Sequence, residues 1–143
     1  MAIKTTDYSM PNIDHHSLVL LLQTRLPSLL AIYAFGSRVK GCANQSSDLD
    51  LAVLVQGYID PLVSWGLAGQ LADISACPVD LVDMRAASTV LQYQIVQTGI
   101  HLWAKQPDAG VFESFVLSEK MDFDWARRGL LMDINQRGKV YAR

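Results

Sequence analysis

Phe35-Gly36-Ser37-Arg38-Val39-Lys40-Gly41, followed by Ser46-Ser47-Asp48-Leu49-Asp50-Leu51-Ala52-Val53-Leu54-Val55, sets the architecture of the chain. The first segment closes an apolar run, Leu29 to Phe35, that reads as a buried strand stopped by Gly36. The second opens the strongest strand of the sequence, Leu49 to Val55. Asp48 and Asp50 stand two apart at its start, so the alternation of a strand points both carboxylates to one face. A glycine after a strand lets backbone approach a ligand closely. Backbone N–H groups at such a turn, with the Ser37 hydroxyl, form a cradle for phosphate oxygens. Arg38 and Lys40 add positive charge beside it, although plain surface positions suit them equally.

Outward from this core, elements alternate. Toward the N-terminus, Ile13 to Leu26 reads as a helix capped by Asn12 or Asp14 and ended by Pro27. The first dozen residues are polar and turn-like, an expected loose arm before a single domain spanning residues 13–143. Toward the C-terminus, Asp60-Pro61 starts a helix with a cap and a proline in the preferred order, running to about Ile74. Val79 to Asp83 is a third strand and brings Asp80 toward the other two carboxylates. A helix from about Ser88 to Thr98 should stop at Gly99 in a left-handed cap. Ile100 to Ala104 is a fourth, edge strand, and Asp108 caps a last helix from Gly110 to Ile134. The expected class is α/β (α+β), a small mixed sheet flanked by helices.

Bulk properties narrow the function. With 143 residues the chain suits one domain. Its net charge of −2 gives no general attraction to a polyanion, so stable nucleic-acid binding is not expected. The basic run Arg127, Arg128, Arg137, Lys139 and Arg143 suits a helix end as well as a binding patch. Cys42 and Cys77 lie far apart with no CxxC, so neither a disulfide framework nor a zinc site is expected. No apolar run approaches a membrane span, and no signal-peptide core follows Lys4, which points to the cytoplasm.

Two carboxylates about 5 Å apart repel by roughly 3 kcal/mol at an effective dielectric near 20. A cluster of Asp48, Asp50 and Asp80 is therefore hard to keep ionised without a cation, and hard oxygen donors select Mg²⁺ or Mn²⁺. Two such ions can hold the attacking and leaving oxygens of an in-line phosphoryl displacement. Rival motifs fail: the P-loop spacing of Gly36 and Gly41 is followed by Cys42-Ala43 instead of Lys and Ser/Thr. An EF-hand would need acid or amide and then glycine where Ala52 and Val53 stand.

Gly36-Ser37, ten residues, Asp48-Leu49-Asp50, with Val79-Asp80-Leu81-Val82-Asp83 further on, resembles the minimal nucleotidyltransferase (MNT) family of the DNA polymerase β-like superfamily. The resemblance implies that Gly36 and Ser37 hold the triphosphate of ATP. It also implies that Asp48 and Asp50 bridge two metal ions, and that Asp80 completes the site of the ion that activates the nucleophile. Small free-standing members are commonly antitoxins of type VII-like pairs, partnered by a HEPN-domain ribonuclease toxin. The implied reaction is transfer of AMP from ATP to a toxin tyrosine, in the cytoplasm. The toxin's own Arg…His-x-Tyr motif is absent here, which makes this chain the MNT half. Neutralisation by occlusion alone, and a small-molecule acceptor such as an antibiotic, stay open as alternatives.

Among other residues, His15, His16 and His101 are expected to be structural or exposed, and Trp65, Leu67, Leu71 and Ile74 to be core. Phe112, Phe123 and Trp125 suit either the core or a partner. Asp83, three residues from Asp80, should face away from it.

Overall fold

The computed structural model of the chain describes residues 4–5, 13–37 and 48–141. Along the chain run β1 (Lys4–Thr5), α1 (His15–Arg25), β2 (Leu29–Phe35), β3 (Leu49–Val55), α2 (Pro61–Ser75), β4 (Val79–Asp83), a 3₁₀ turn (Met84–Ala86), α3 (Thr89–Thr98), β5 (Ile100–Ala104) and α4 (Asp108–Tyr141). The strands form one mixed sheet in the order β1-β5-β2-β3-β4. β2 runs antiparallel to β3 and β5, whereas β3 and β4 are parallel. The expected α/β class and the bounds of β2, β3, β4 and β5 are those observed.

Every central strand is apolar on both faces, so both need a cover. Odd-numbered β3 residues (Leu49, Leu51, Val53) pack with Leu18 and Leu22 of α1 and Leu67 and Leu71 of α2. Even-numbered Ala52 and Leu54 pack on the other side with Ile95 and Val96 of α3 and Ala109, Phe112 and Val116 of α4. Asp50 belongs to this second face, at its open end.

Local caps explain the helix starts. Asp14 accepts from the Ser17 N–H, Asp60 from the Leu62 N–H ahead of Pro61, and Ser88 from the Leu91 N–H.

Several sequence expectations are corrected. Within the supposed loose arm, Lys4–Thr5 pairs with Ile100–His101, so β5 is not an edge strand. Gly99 is extended (φ −76°, ψ 171°), not left-handed. Its glycine answers to crowding instead, since a Cβ would stand 2.5 Å from the Ile95 carbonyl oxygen and 3.2 Å from that of Ala34. The last helix starts at Asp108 itself and runs seven residues beyond Ile134. Trp65 is 81% exposed and Ile74 also reaches solvent, because the sheet-facing stripe of α2 is Leu67 and Leu71 alone.

Candidate active site

β2 ends where β3 and β4 begin, so three chain segments carrying polar residues meet at one end of the sheet. The antiparallel register sets Phe35 opposite Asp50, and the parallel register sets Asp50 opposite Asp80. Residues opposite one another share a face, so Asp50 and Asp80 project side by side on the α3/α4 face. Asp48 precedes β3 by one residue and is exposed. Gly36 directly follows Phe35 with φ +82°, a backbone region that side chains disfavour. A methyl group built on Gly36 would run into the Asp50 carboxylate. The glycine thus serves two ends at once, the left-handed turn and the room for Asp50.

Electrostatics mark Asp50 as the centre. Burial, then the Asp80 carboxylate, then that of Asp48, raise its carboxyl above the ordinary range. Both expected neighbours are therefore close enough to act on it. Among the described residues, no three Asp, Glu, His or Cys side chains are gathered tightly enough to ligate one ion. Asp48 lies in solvent, and an exposed side chain changes rotamer within nanoseconds, so it is able to turn toward a cation. The donor chemistry fits a hard divalent ion: carboxylate oxygens in register, one destabilised by its neighbours, with no basic side chain hydrogen-bonded to them among the described residues.

Ser37 adjoins Gly36 and is half-buried. Arg38, Lys40 and Cys42 lie outside the described residues. Asp83 faces the opposite way, as its spacing demands: it accepts from the Ile59 N–H at 2.9 Å and the Arg85 N–H at 3.2 Å, and it caps the 3₁₀ turn. It is a structural carboxylate.

Sequence reading missed a second polar cluster. In the middle of the same sheet face the Tyr33 hydroxyl donates to Glu113 Oε2 at 2.7 Å, and His101 Nε2 lies 2.6 Å from the same oxygen. All three residues are buried. Burial, with the Glu113 carboxylate beside it, pushes the Tyr33 hydroxyl far above its ordinary value and keeps it a donor. Glu113 gives no signal in sequence, because a lone Glu in a helix normally reads as solvated.

A cavity of about 620 Å³, lined by Arg85, Lys105, Asp108 and Phe112 among others, lies at the opposite end of the sheet. It holds one carboxylate and no glycine turn, so the acidic end is the better candidate.

Comparison with known proteins follows the same line. Residues 18–108 match the family described as Polymerase beta, Nucleotidyltransferase. The chain is similar to the protein adenylyltransferase MntA of Shewanella oneidensis, with 36% identity over 125 residues covering 87% of this chain and 90% of that protein. Its structure is similar to a solved toxin–antitoxin with AMP-PNP, at a TM-score of 0.76 and 36% identity, over 85% of this chain and 98% of that one. It is also similar to the structure of a tri-AMPylated Shewanella oneidensis HEPN toxin in complex with MNT antitoxin. There the TM-score is 0.69 and the identity 35%, over 84% of this chain and 94% of that chain.

Proposed function

The chain belongs to the polymerase β-type nucleotidyltransferase family, and from that premise we propose that it is an antitoxin that transfers AMP from ATP to a tyrosine of a HEPN-domain toxin. One observation carries the assignment of the site: Asp50 stands in register with Asp80 beside a left-handed glycine turn that only glycine leaves open for it. The similarity to a protein adenylyltransferase and to an AMPylated toxin in complex with its antitoxin supports the acceptor class.

In the reaction, the acceptor oxygen attacks the α-phosphorus of ATP, the bond to the β-phosphate oxygen breaks, and pyrophosphate leaves. Backbone N–H groups at Gly36 and Ser37 hold the triphosphate, with Arg38 and Lys40 as further phosphate contacts. Asp48, Asp50 and Asp80 would hold two Mg²⁺ ions, with Mn²⁺ as a substitute. When bound, these ions neutralise the triphosphate and favour the ionised acceptor. A tyrosine hydroxyl loses its proton near pH 10, so it needs help at neutral pH. Asp80, with the metal ion beside it, would help remove that proton.

The test is direct. The protein is mixed with ATP, Mg²⁺ and a candidate HEPN-domain toxin, and the latter is weighed by mass spectrometry. One or more AMP units are expected. An unchanged mass, under conditions where the protein binds ATP, would overturn the reading. Replacing Asp48 and Asp50 by Ala separates catalysis from occlusion, since an occluding antitoxin would still neutralise its partner.

A further inference from the structure

Helix α4 leaves the domain it belongs to. Its first turns start at the β5 end marked by Ala104, and by Glu113 the helix has reached the level of His101. It therefore runs antiparallel to β5, toward the sheet end that holds Asp50 and Asp80. Phe112 and Val116 are the last large apolar side chains of α4 that the sheet buries. At 1.5 Å per residue the helix travels roughly 24 Å between Val116 and Met132. That stretch overshoots the acidic end of the sheet.

The overshooting part carries large exposed apolar side chains between its charged ones (Glu119, Lys120, Asp122, Asp124, Arg127 and Arg128). Met121, Phe123, Trp125, Leu130, Leu131 and Met132 are between 50% and 73% exposed. Taking about 200 Å² for each large apolar side chain, the exposed parts total roughly 700 Å². That is close to the ~800 Å² each partner buries in a stable protein interface, and large for a single chain in water. At about 100° per residue, Met121, Trp125 and Met132 fall within roughly 40° of one another. Phe123 and Leu130 lie on the opposite side, in line with Phe112 and Val116. The inner stripe thus continues past the sheet and looks onto the space in front of Asp50 and Asp80.

We propose that residues 119–132 of α4 form the docking arm for the protein acceptor, which is clasped between this arm and the acidic end of the sheet. A single helix from a second copy would cover one stripe and leave the other wet. Two exposed apolar stripes on opposite sides of one helix need neighbours on both sides. An acceptor protein seated in the angle covers the inner stripe and wraps the outer one, and this places its hydroxyl at the carboxylates. The proposal rests on the reading of the chain as a protein adenylyltransferase.

Trp125→Glu tests the outer stripe and Leu130→Glu the inner one, each in the full-length protein. Melting temperature and Mg²⁺-dependent ATP binding serve as controls, and neither should move, because both side chains are exposed. Each variant should bind the HEPN-domain toxin that the wild type modifies at least tenfold more weakly and raise the KM for it, while Trp125→Phe stays near wild type. Wild-type binding and AMP transfer by both Glu variants would overturn the docking arm. So would a dimer of this chain alone that Trp125→Glu dissociates while partner binding persists. A complex that forms through the arm without AMP transfer would uphold the arm and sink the catalytic reading. Failure of the wild-type protein to form any complex would sink the arm itself.

Discussion

Two carboxylates on one face of this sheet meet opposite fates. Glu113 is fully buried and finds its partners inside the protein, a tyrosine hydroxyl and a histidine nitrogen sharing one oxygen. Asp50 is only half-buried, yet burial and two like charges are what act on it. A buried acid normally survives by being paired. Among the described residues the fold pairs Glu113 and leaves Asp50 facing Asp80 and Asp48, an arrangement that suits a bound cation. The first cluster is closed inside the core, and the second opens to solvent at the end of the sheet.

The largest expected effect falls on the unpaired cluster. Asp50→Ala or Asp80→Ala should lower the rate of AMP transfer by about 10³-fold or more, since bound cations supply several kcal/mol to such a transition state and each 1.4 kcal/mol is tenfold. Single-turnover transfer to the partner protein measures this. A loss below tenfold would remove that residue from the site.

Glu113→Ala should do the reverse. It orphans the Tyr33 hydroxyl and the His101 ring in the core, so stability should fall by about 3 kcal/mol. Transfer per folded molecule should change little. Denaturant unfolding reads the first quantity and active-site titration the second; equal loss of both would erase the contrast between the clusters.

Gly36→Ala joins the two effects. The left-handed backbone costs a side chain about 1–2 kcal/mol, and the new methyl displaces the Asp50 carboxylate. Stability should drop modestly and nucleotide affinity sharply; unchanged ATP binding in the variant would mean that Asp50 does not need the space. The smallest effect belongs to Asp83→Ala, which removes a cap and should cost about 1 kcal/mol with transfer intact. Loss of transfer there would mean that the acidic site extends to the other face of the sheet.

The contrast also explains what the sequence could and could not disclose. Leu29–Phe35, Leu49–Val55 and Val79–Asp83 are short apolar runs bounded by Gly, Pro or Asp, so local pattern suffices to place them. The Gly36-Ser37 and Asp48-x-Asp50 elements are legible for the same reason, because their chemistry depends on neighbours in sequence. Asp83 could be set aside by counting residues along a strand. The Tyr33–Glu113–His101 cluster was invisible, since its members are 80 and 12 residues apart and meet only through sheet register and helix packing. Gly99 was misread because crowding by the Ile95 and Ala34 carbonyl oxygens, not a left-handed backbone, requires a glycine. In α4 apolar residues recur at helical spacing well past the end of the sheet, so periodicity alone could not tell core from overhang.

The cleanest probe of Asp50 is its own titration linkage. Its folded-state value is raised, so folding without a cation is unopposed by Asp50 below the ordinary carboxylate value of 3.8. The cost grows as pH climbs through the raised value and is complete above it. Thermal melting at pH 7 should therefore place Asp50→Asn above wild type in EDTA. Adding Mg²⁺ and ATP should then raise wild type by several degrees and leave Asp50→Asn where it was. A wild type that already melts with the variant in EDTA, or a variant that gains as much from Mg²⁺-ATP, would contradict the claim that this carboxylate awaits a cation and its nucleotide.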